Sequence, residues 1–189
     1  MKLRLLNTSH LALASLGFLL GHQMVAEAMR DARLERFVRA LMSEETAPTL
    51  TAPPTVDLAD YQDQVVERFA NRTLRDTIER INTDASLNLL LDPIRDRLGA
   101  GLPITRLCLA VAAWIRRLQL LPEGQLAVRH PLADKLRAAA RASGKNPTQM
   151  VGVGDVFGDL QFRPEFVTLV ARGLGALHDD PAEAIELSG

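Results

Sequence analysis

Between residues 3 and 29 the apolar positions recur at spacings of three and four, which predicts one long helix, bent near Gly17 or Gly21. The same period runs through Leu34, Phe37, Val38, Leu41 and Met42 and predicts a second helix over 33–45. The stretch TAPTLTAPPTVDL, with three prolines, then breaks the pattern and reads as an extended connection and a helix stop. Asp57 or Asp60 can cap a helix through about Ala70, and Asn71 and Thr73 can restart one that lasts to about Asn82. A helix over about 86–98 stops at Gly99 and Gly101. Pro103 opens the most apolar helix, ITRLCLAVAAWIRRLQLL, which ends at Pro122 and Gly124. Pro131 starts PLADKLRAAARA, ended by Gly144, and residues 147–157 and 164–178 supply the last two substantial helices. No segment shows the two-residue alternation of a half-buried strand. The expected architecture is a single all-α domain of about eight or nine helices, with 46–56 as an internal loop because neither flank carries a full core of its own.

Composition agrees with that pattern. The 189 residues include 32 Leu and 25 Ala, and a chain of this length buries enough surface to need no disulfide or metal staple. Basic and acidic residues nearly cancel, 22 against 23, which weakens any case for a nucleic-acid or polyanion binder. The one cysteine, Cys108, sits in an apolar run, so a core thiol is expected rather than a nucleophile, and Cys-rich metal sites are excluded. The first twenty residues imitate a secretory signal, with Lys2 and Arg4 before LALASLGFLL. Asn7, Ser9 and His10 interrupt that design, and the helical pattern continues past it, so a helix of a cytoplasmic protein is the expectation. The apolar run is also shorter than the ~20 residues of a membrane span.

Little else carries chemistry on spacing alone. GVGDVFG spaces Gly152, Gly154 and Gly158 one residue too widely for a dinucleotide loop, and no strand precedes it. Turn or helix-end use is the expectation there. The histidines at 10, 22, 130 and 178 have no zinc-helix spacing. Asn7 and His10 differ: three residues apart, they point within about 60° of each other on a helix, with Lys2 upstream on the same element. An amine, an amide and an imidazole aimed into one cleft suit carbonyl–alcohol chemistry. An exposed polar stripe of a helix has the same spacing.

The segment KLRLLNTSHLALASLGFLLGHQMVAEAM resembles the start of the C-terminal domain of the mannitol dehydrogenase family, the polyol-specific long-chain dehydrogenases/reductases that include fructuronate reductases. FVRALMSEETAPTL, ERFANRTLRDTIERINTDAS, LLDPIRDRL, AAWIRRL, HPLADKL and VFGDL extend the resemblance over nearly the whole chain in the family's order. The resemblance implies metal-independent interconversion of a sugar alcohol and a ketose, with NAD or NADP as cofactor. It makes Lys2 the general base in oxidation and the acid in reduction. Asn7 would hydrogen-bond the reacting oxygen, and His10 would position the reacting hydroxyl. Arg80 would contact the polyol chain. Where the family often carries a substrate-contacting lysine, this sequence has Asn88, and Asp84-Ala85-Ser86 stands for the family's Asp-Gly-Ser. The resemblance covers residues 1–189 as a substrate and catalytic domain. It implies that the family's N-terminal Rossmann domain, which binds the nucleotide, is absent here, so that it would come from a partner chain or the chain is a truncated remnant of the family. Little activity is then expected of this chain alone. Two further readings are a helical interaction module derived from the same fold, and an exported protein that loses its first twenty residues.

Overall fold

The computed structural model describes residues 2–50 and 57–189, with side chains from Arg4 onward. Among these residues are twelve α-helical segments: α1 Lys2–Leu19, α2 Val25–Ala28, α3 Ala32–Ala40, α4 Leu58–Ala70, α5 Ile78–Asp84, α6 Asn88–Gly99, α7 Thr105–Leu120, α8 Ala133–Ser143, α9 Thr148–Val151, α10 Gly154–Phe157, α11 Pro164–Asp179 and α12 Pro181–Glu186. Three of them, α2, α9 and α10, are single turns of four residues, so nine longer helices remain, within the eight or nine expected, although the helix expected over 147–157 divides at Gly152 and Val153 into the single turns α9 and α10. The described residues contain no strand beyond one isolated antiparallel bridge, Met24 to Thr77.

The core is built around α7. Its run from Leu107 to Ile115 is buried on every side, because α1, α6, α8 and α11 all pack on it. An all-round apolar helix belongs at the centre of a bundle. Cys108 is part of this core, and burial pushes its thiol well above the ordinary range, so it is an inert core residue. Gly173 lets α11 approach α7 closely; a Cβ there would lie 3.2 Å from both Ala112 Cβ and Leu109 Cδ1. The N-terminus of α7 is capped from a distance. Leu41–Thr46 continues α3 as a π-helical stretch, and its buried Glu45 accepts the Arg106 and Leu107 N–H groups at 2.9 Å each.

Several boundaries differ from the sequence expectation for local reasons. The first helix ends at Leu19 instead of running to 29. Gly21 adopts φ +82°, and the chain then pairs with a distant segment: Val25 N–H donates to Asp76 O at 2.9 Å and Ile78 N–H to Gln23 O at 3.0 Å. The helix expected over 71–82 divides into a 3-10 turn, Arg72–Leu74, and α5, separated by Arg75 in the left-handed region. The start of the expected extended connection is helical, since Ala47–Thr49 forms a 3-10 turn; residues 51–56 lie outside the described residues. The sequence reading also passed over α12, although Asp180 caps it and Pro181 fills its first position.

α1 lies between α5, α6 and α7, and two polar contacts fix it there. The Thr8 hydroxyl donates to Leu89 O of α6 at 2.8 Å. That carbonyl is available because Pro93, four residues on, has no N–H to bond it. The second contact is Asn82 of α5, fully buried, whose amide donates to Ala14 O at 2.9 Å and Ile78 O at 3.0 Å and accepts the Ser15 hydroxyl at 2.9 Å. Thr8→Val keeps the shape at position 8 but leaves the Leu89 carbonyl without its partner. We expect a loss of about 1–2 kcal/mol, read from urea unfolding. An unchanged midpoint would mean the contact does not anchor α1.

Candidate functional site

The geometry of α1 turns Thr8 and Ser9 into the core, both fully buried, and leaves Asn7 and His10 partly exposed side by side. These two line a cleft of about 310 Å³ together with Ile81, Asp84, Ala85, Ser86 and Leu89. The floor therefore comes from the end of α5, the turn that follows it and the start of α6. The Thr8 and Asn82 anchors hold α1 against those elements. The cleft is at the lower end of the size range of small-ligand pockets, and carboxamide, imidazole, carboxylate and hydroxyl groups surround it.

His10 is held by stacking. Its ring lies on that of Phe69 from α4, with centroids 4.6 Å apart and planes at 29°. Burial disfavours the charged ring and lowers its pKa to about 4; Asp76 works against this, and Arg80 and Arg68 add to it. The ring is thus neutral at physiological pH. Its Nε2 is buried and has no hydrogen-bond partner among the described residues, so the ring is not committed to an internal network. A neutral, fixed and uncommitted imidazole suits orienting a hydroxyl.

The lowered pKa has a consequence for stability. The unfolded chain binds a proton at His10 below pH 6.5, and the folded chain does so only near pH 4. Stability is therefore lost as pH falls through that window, by up to about 3 kcal/mol for a shift of this size. His178 is also lowered by burial and loses stability in the same direction. Asp31, held low by Arg33, acts only at more acidic pH. Melting from pH 7 to 4 is expected to show a flatter slope in His10→Gln than in the native chain. Parallel slopes would contradict the burial argument.

Of the residues named from sequence, Asn7 and His10 share this cleft. Arg80 does not line it. Arg80 is exposed, pairs with Asp76, and borders an adjoining cavity of about 280 Å³ that also includes Asp84 and Arg129. Asn88, exposed at the start of α6, lines a third cavity of about 160 Å³ with Trp114, Arg129 and His130. The turn at Asp84 borders all three, so Arg80 and Asn88 each line a cavity that adjoins the Asn7–His10 cleft. Arg129 clasps that turn through its Nε to Asp84 at 3.1 Å and its N–H to Thr83 O at 2.7 Å. Lys2 opens α1, and its side chain lies outside the described residues.

Sequence reasoning missed Phe69, Asp76 and Asn82. Asn82 carried a signal: it falls on the buried face of α5, four residues from Ile78 and one from Ile81, where an amide needs internal partners. Phe69 and Asp76 carried none, since only the fold brings them to α1. Among the described residues no group of three His, Cys, Asp or Glu side chains is placed to hold a metal ion, and no helix is long and apolar enough to cross a membrane. GVGDVFG, residues 152–158, follows α9, forms α10 and enters the 3-10 turn Gly158–Phe162, and no strand leads into it, so these residues do not fit a dinucleotide's phosphates.

Comparison with known proteins follows the same line. The family model for the mannitol dehydrogenase C-terminal domain matches residues 1–178. The chain belongs to the mannitol dehydrogenase family. The mannitol 2-dehydrogenase of Aspergillus terreus is 35% identical over 185 residues, covering 95% of this chain and 37% of that protein. The Phaeosphaeria nodorum mannitol 2-dehydrogenase is 35% identical over 189 residues, covering 97% of this chain and 33% of its own length. Mannitol 2-dehydrogenase from Pseudomonas fluorescens, solved as a ternary complex with NAD and D-mannitol, superposes with a TM-score of 0.84 at 30% identity, over 97% of this chain and 38% of that one. A D-sorbitol dehydrogenase, solved substrate-free, matches with the same TM-score, 0.84, at 22% identity and supports the fold alone. This chain of the mannitol dehydrogenase family thus spans little more than a third of its relatives' length, and corresponds to their helical C-terminal domain.

Proposed function

We propose that this chain is the substrate-binding and catalytic half of a polyol 2-dehydrogenase that interconverts a sugar alcohol of the mannitol type and its ketose without a metal. The observation that carries this is the cleft where Asn7 meets a neutral, stacked and uncommitted His10, in a chain of the mannitol dehydrogenase family.

In this reading the Lys2 amine takes the proton from the reacting hydroxyl during oxidation and returns it during reduction. The Asn7 amide N–H donates to the reacting oxygen, which it holds in line with the lysine. The neutral His10 ring orients the same hydroxyl, and the Phe69 stack keeps that ring from turning away. Arg80 and Asn88, in the adjoining cavities, contact the polyol chain beyond its reacting carbon. Oxidation also removes a hydride from carbon, and NAD is the acceptor this reading requires. No strand–glycine turn–helix unit of the dinucleotide-binding kind occurs among the described residues, so we assign the dinucleotide mainly to a nucleotide-binding domain carried by another chain or by a longer form of the protein.

The test is reconstitution. The 189-residue chain mixed with the separately expressed nucleotide-binding part of the Aspergillus terreus relative is expected to oxidise D-mannitol with NAD, whereas each part alone shows little turnover. Absence of activity in a mixture shown to associate would favour a non-catalytic helical module. Robust turnover by the chain alone would refute the two-part arrangement.

A further inference from the structure

Phe69, on which the His10 ring stacks, also lines a fourth cavity, of about 380 Å³, which the proposed reaction does not use. Arg68 from the last turn of α4, Arg72 from the 3-10 turn and Arg75 line it, together with Asn71. All three guanidinium groups are exposed, and none makes an ion pair or a side-chain hydrogen bond among the described residues. Most other arginines here are paired, including Arg4, Arg33, Arg36, Arg39, Arg95 and Arg106. Two carboxylates border the cavity, and both are engaged elsewhere. Glu27 accepts the Met24 N–H at 3.1 Å and the Gln23 N–H at 3.3 Å, and Asp76 pairs with Arg80. Residues 51–56, TAPPTV, carry no acid that could neutralise the cluster.

Arg75 stands at φ +49°, a left-handed conformation that costs a non-glycine residue about 1 kcal/mol. In a chain of net charge −1, three arginines outside any ion pair line one concavity against a single carboxylate, Glu27, that no cation pairs, which leaves a local excess of positive charge. Guanidinium groups present forked donors that match the oxygens of phosphate. We infer that the Arg68–Arg72–Arg75 cavity is a binding site for a phosphate group, carried either by the free anion or by one end of a sugar-sized ligand. The site does not depend on the polyol reading. Phe69, one of its lining residues, carries the stacked His10 ring, and the Arg68 charge acts on His10, so an anion bound there also sits within electrostatic reach of the imidazole.

Calorimetric titration of the 189-residue chain with inorganic phosphate, at ionic strength held constant with sodium chloride, tests the site. Saturable binding is expected, weakened at least about tenfold in Arg68→Gln/Arg72→Gln, a change of roughly 1.4 kcal/mol. Both positions are exposed, and thermal melting verifies that the variant folds. Arg75→Gln is a second variant, with the same direction expected. A hexitol monophosphate separates the sources. Tighter binding than inorganic phosphate, with the gain lost in His10→Ala, identifies a sugar-sized ligand; equal affinity identifies the free anion. Phosphate heats no different from chloride, or variants that bind as well as the native chain, would overturn the proposal.

Discussion

Lys2→Ala is expected to lower D-mannitol oxidation by the reconstituted two-part enzyme about a thousandfold, with most of the loss in kcat. Positioned general bases contribute about 10²–10⁴ to rate, and no other amine or carboxylate among the described residues that line the Asn7–His10 cleft stands in for it except Asp84, which Arg129 already holds. Substrate contacts at His10 and Asn7 survive the substitution, so KM should move far less than kcat. Lys2→Arg sharpens the point. It restores a positive charge and hydrogen-bond donors, but guanidinium does not give up its proton in proteins, so activity should stay low. Recovery of activity with arginine would mean that position 2 acts as a fixed charge and not as a base. The pH dependence gives an independent readout: the limb of the kcat/KM profile that reports the base disappears in Lys2→Ala if the assignment is right.

Asn82→Leu is expected to destabilise the chain by about 3 kcal/mol. The amide is fully buried and makes three hydrogen bonds, one of them accepting the Ser15 hydroxyl and one reaching Ala14 O across to α1. Leucine has a similar size but supplies none of them, and it leaves the Ser15 hydroxyl and two carbonyls facing an apolar group. Loss of one partner from a buried network costs more than the network's net contribution, because the remaining groups stay desolvated. Ser15→Ala alone removes one donor and should cost clearly less. Combining the two should give less than the sum of the single losses, since both remove the same bond. Denaturant unfolding measures each term. A loss below about 1 kcal/mol for Asn82→Leu would show that the amide does not hold α5 on α1.

How much of this was legible in the sequence depends on where the physical cause lies. α7 was plain, because an apolar run between Pro103 and Pro122 is a local property. The end of α1 was not. The helical period runs on past Leu20, and what stops the helix is a left-handed Gly21 followed by pairing of 23–25 with 76–78, a contact between segments some fifty residues apart. Thr8 shows the same limit: its role depends on a carbonyl that Pro93 leaves open on another helix. Asn7 and His10 were readable as neighbours from their spacing alone. Their chemistry was readable only through the family resemblance, because burial and the Phe69 stack, which make His10 neutral, arise from α4. Arg80 and Asn88 were also named through resemblance, and the fold puts them in cavities beside the cleft, which spacing could not have indicated.

The central claim, that the Asn7–His10 cleft holds the reacting end of a sugar alcohol, is tested most directly by nuclear magnetic resonance on the reconstituted pair. With only the 189-residue chain isotope-labelled, D-mannitol should shift the Asn7 carboxamide and His10 ring signals saturably, and His10→Ala should weaken that binding. Saturable binding that leaves both signals unmoved, with the changes mapping to another cavity, would contradict it.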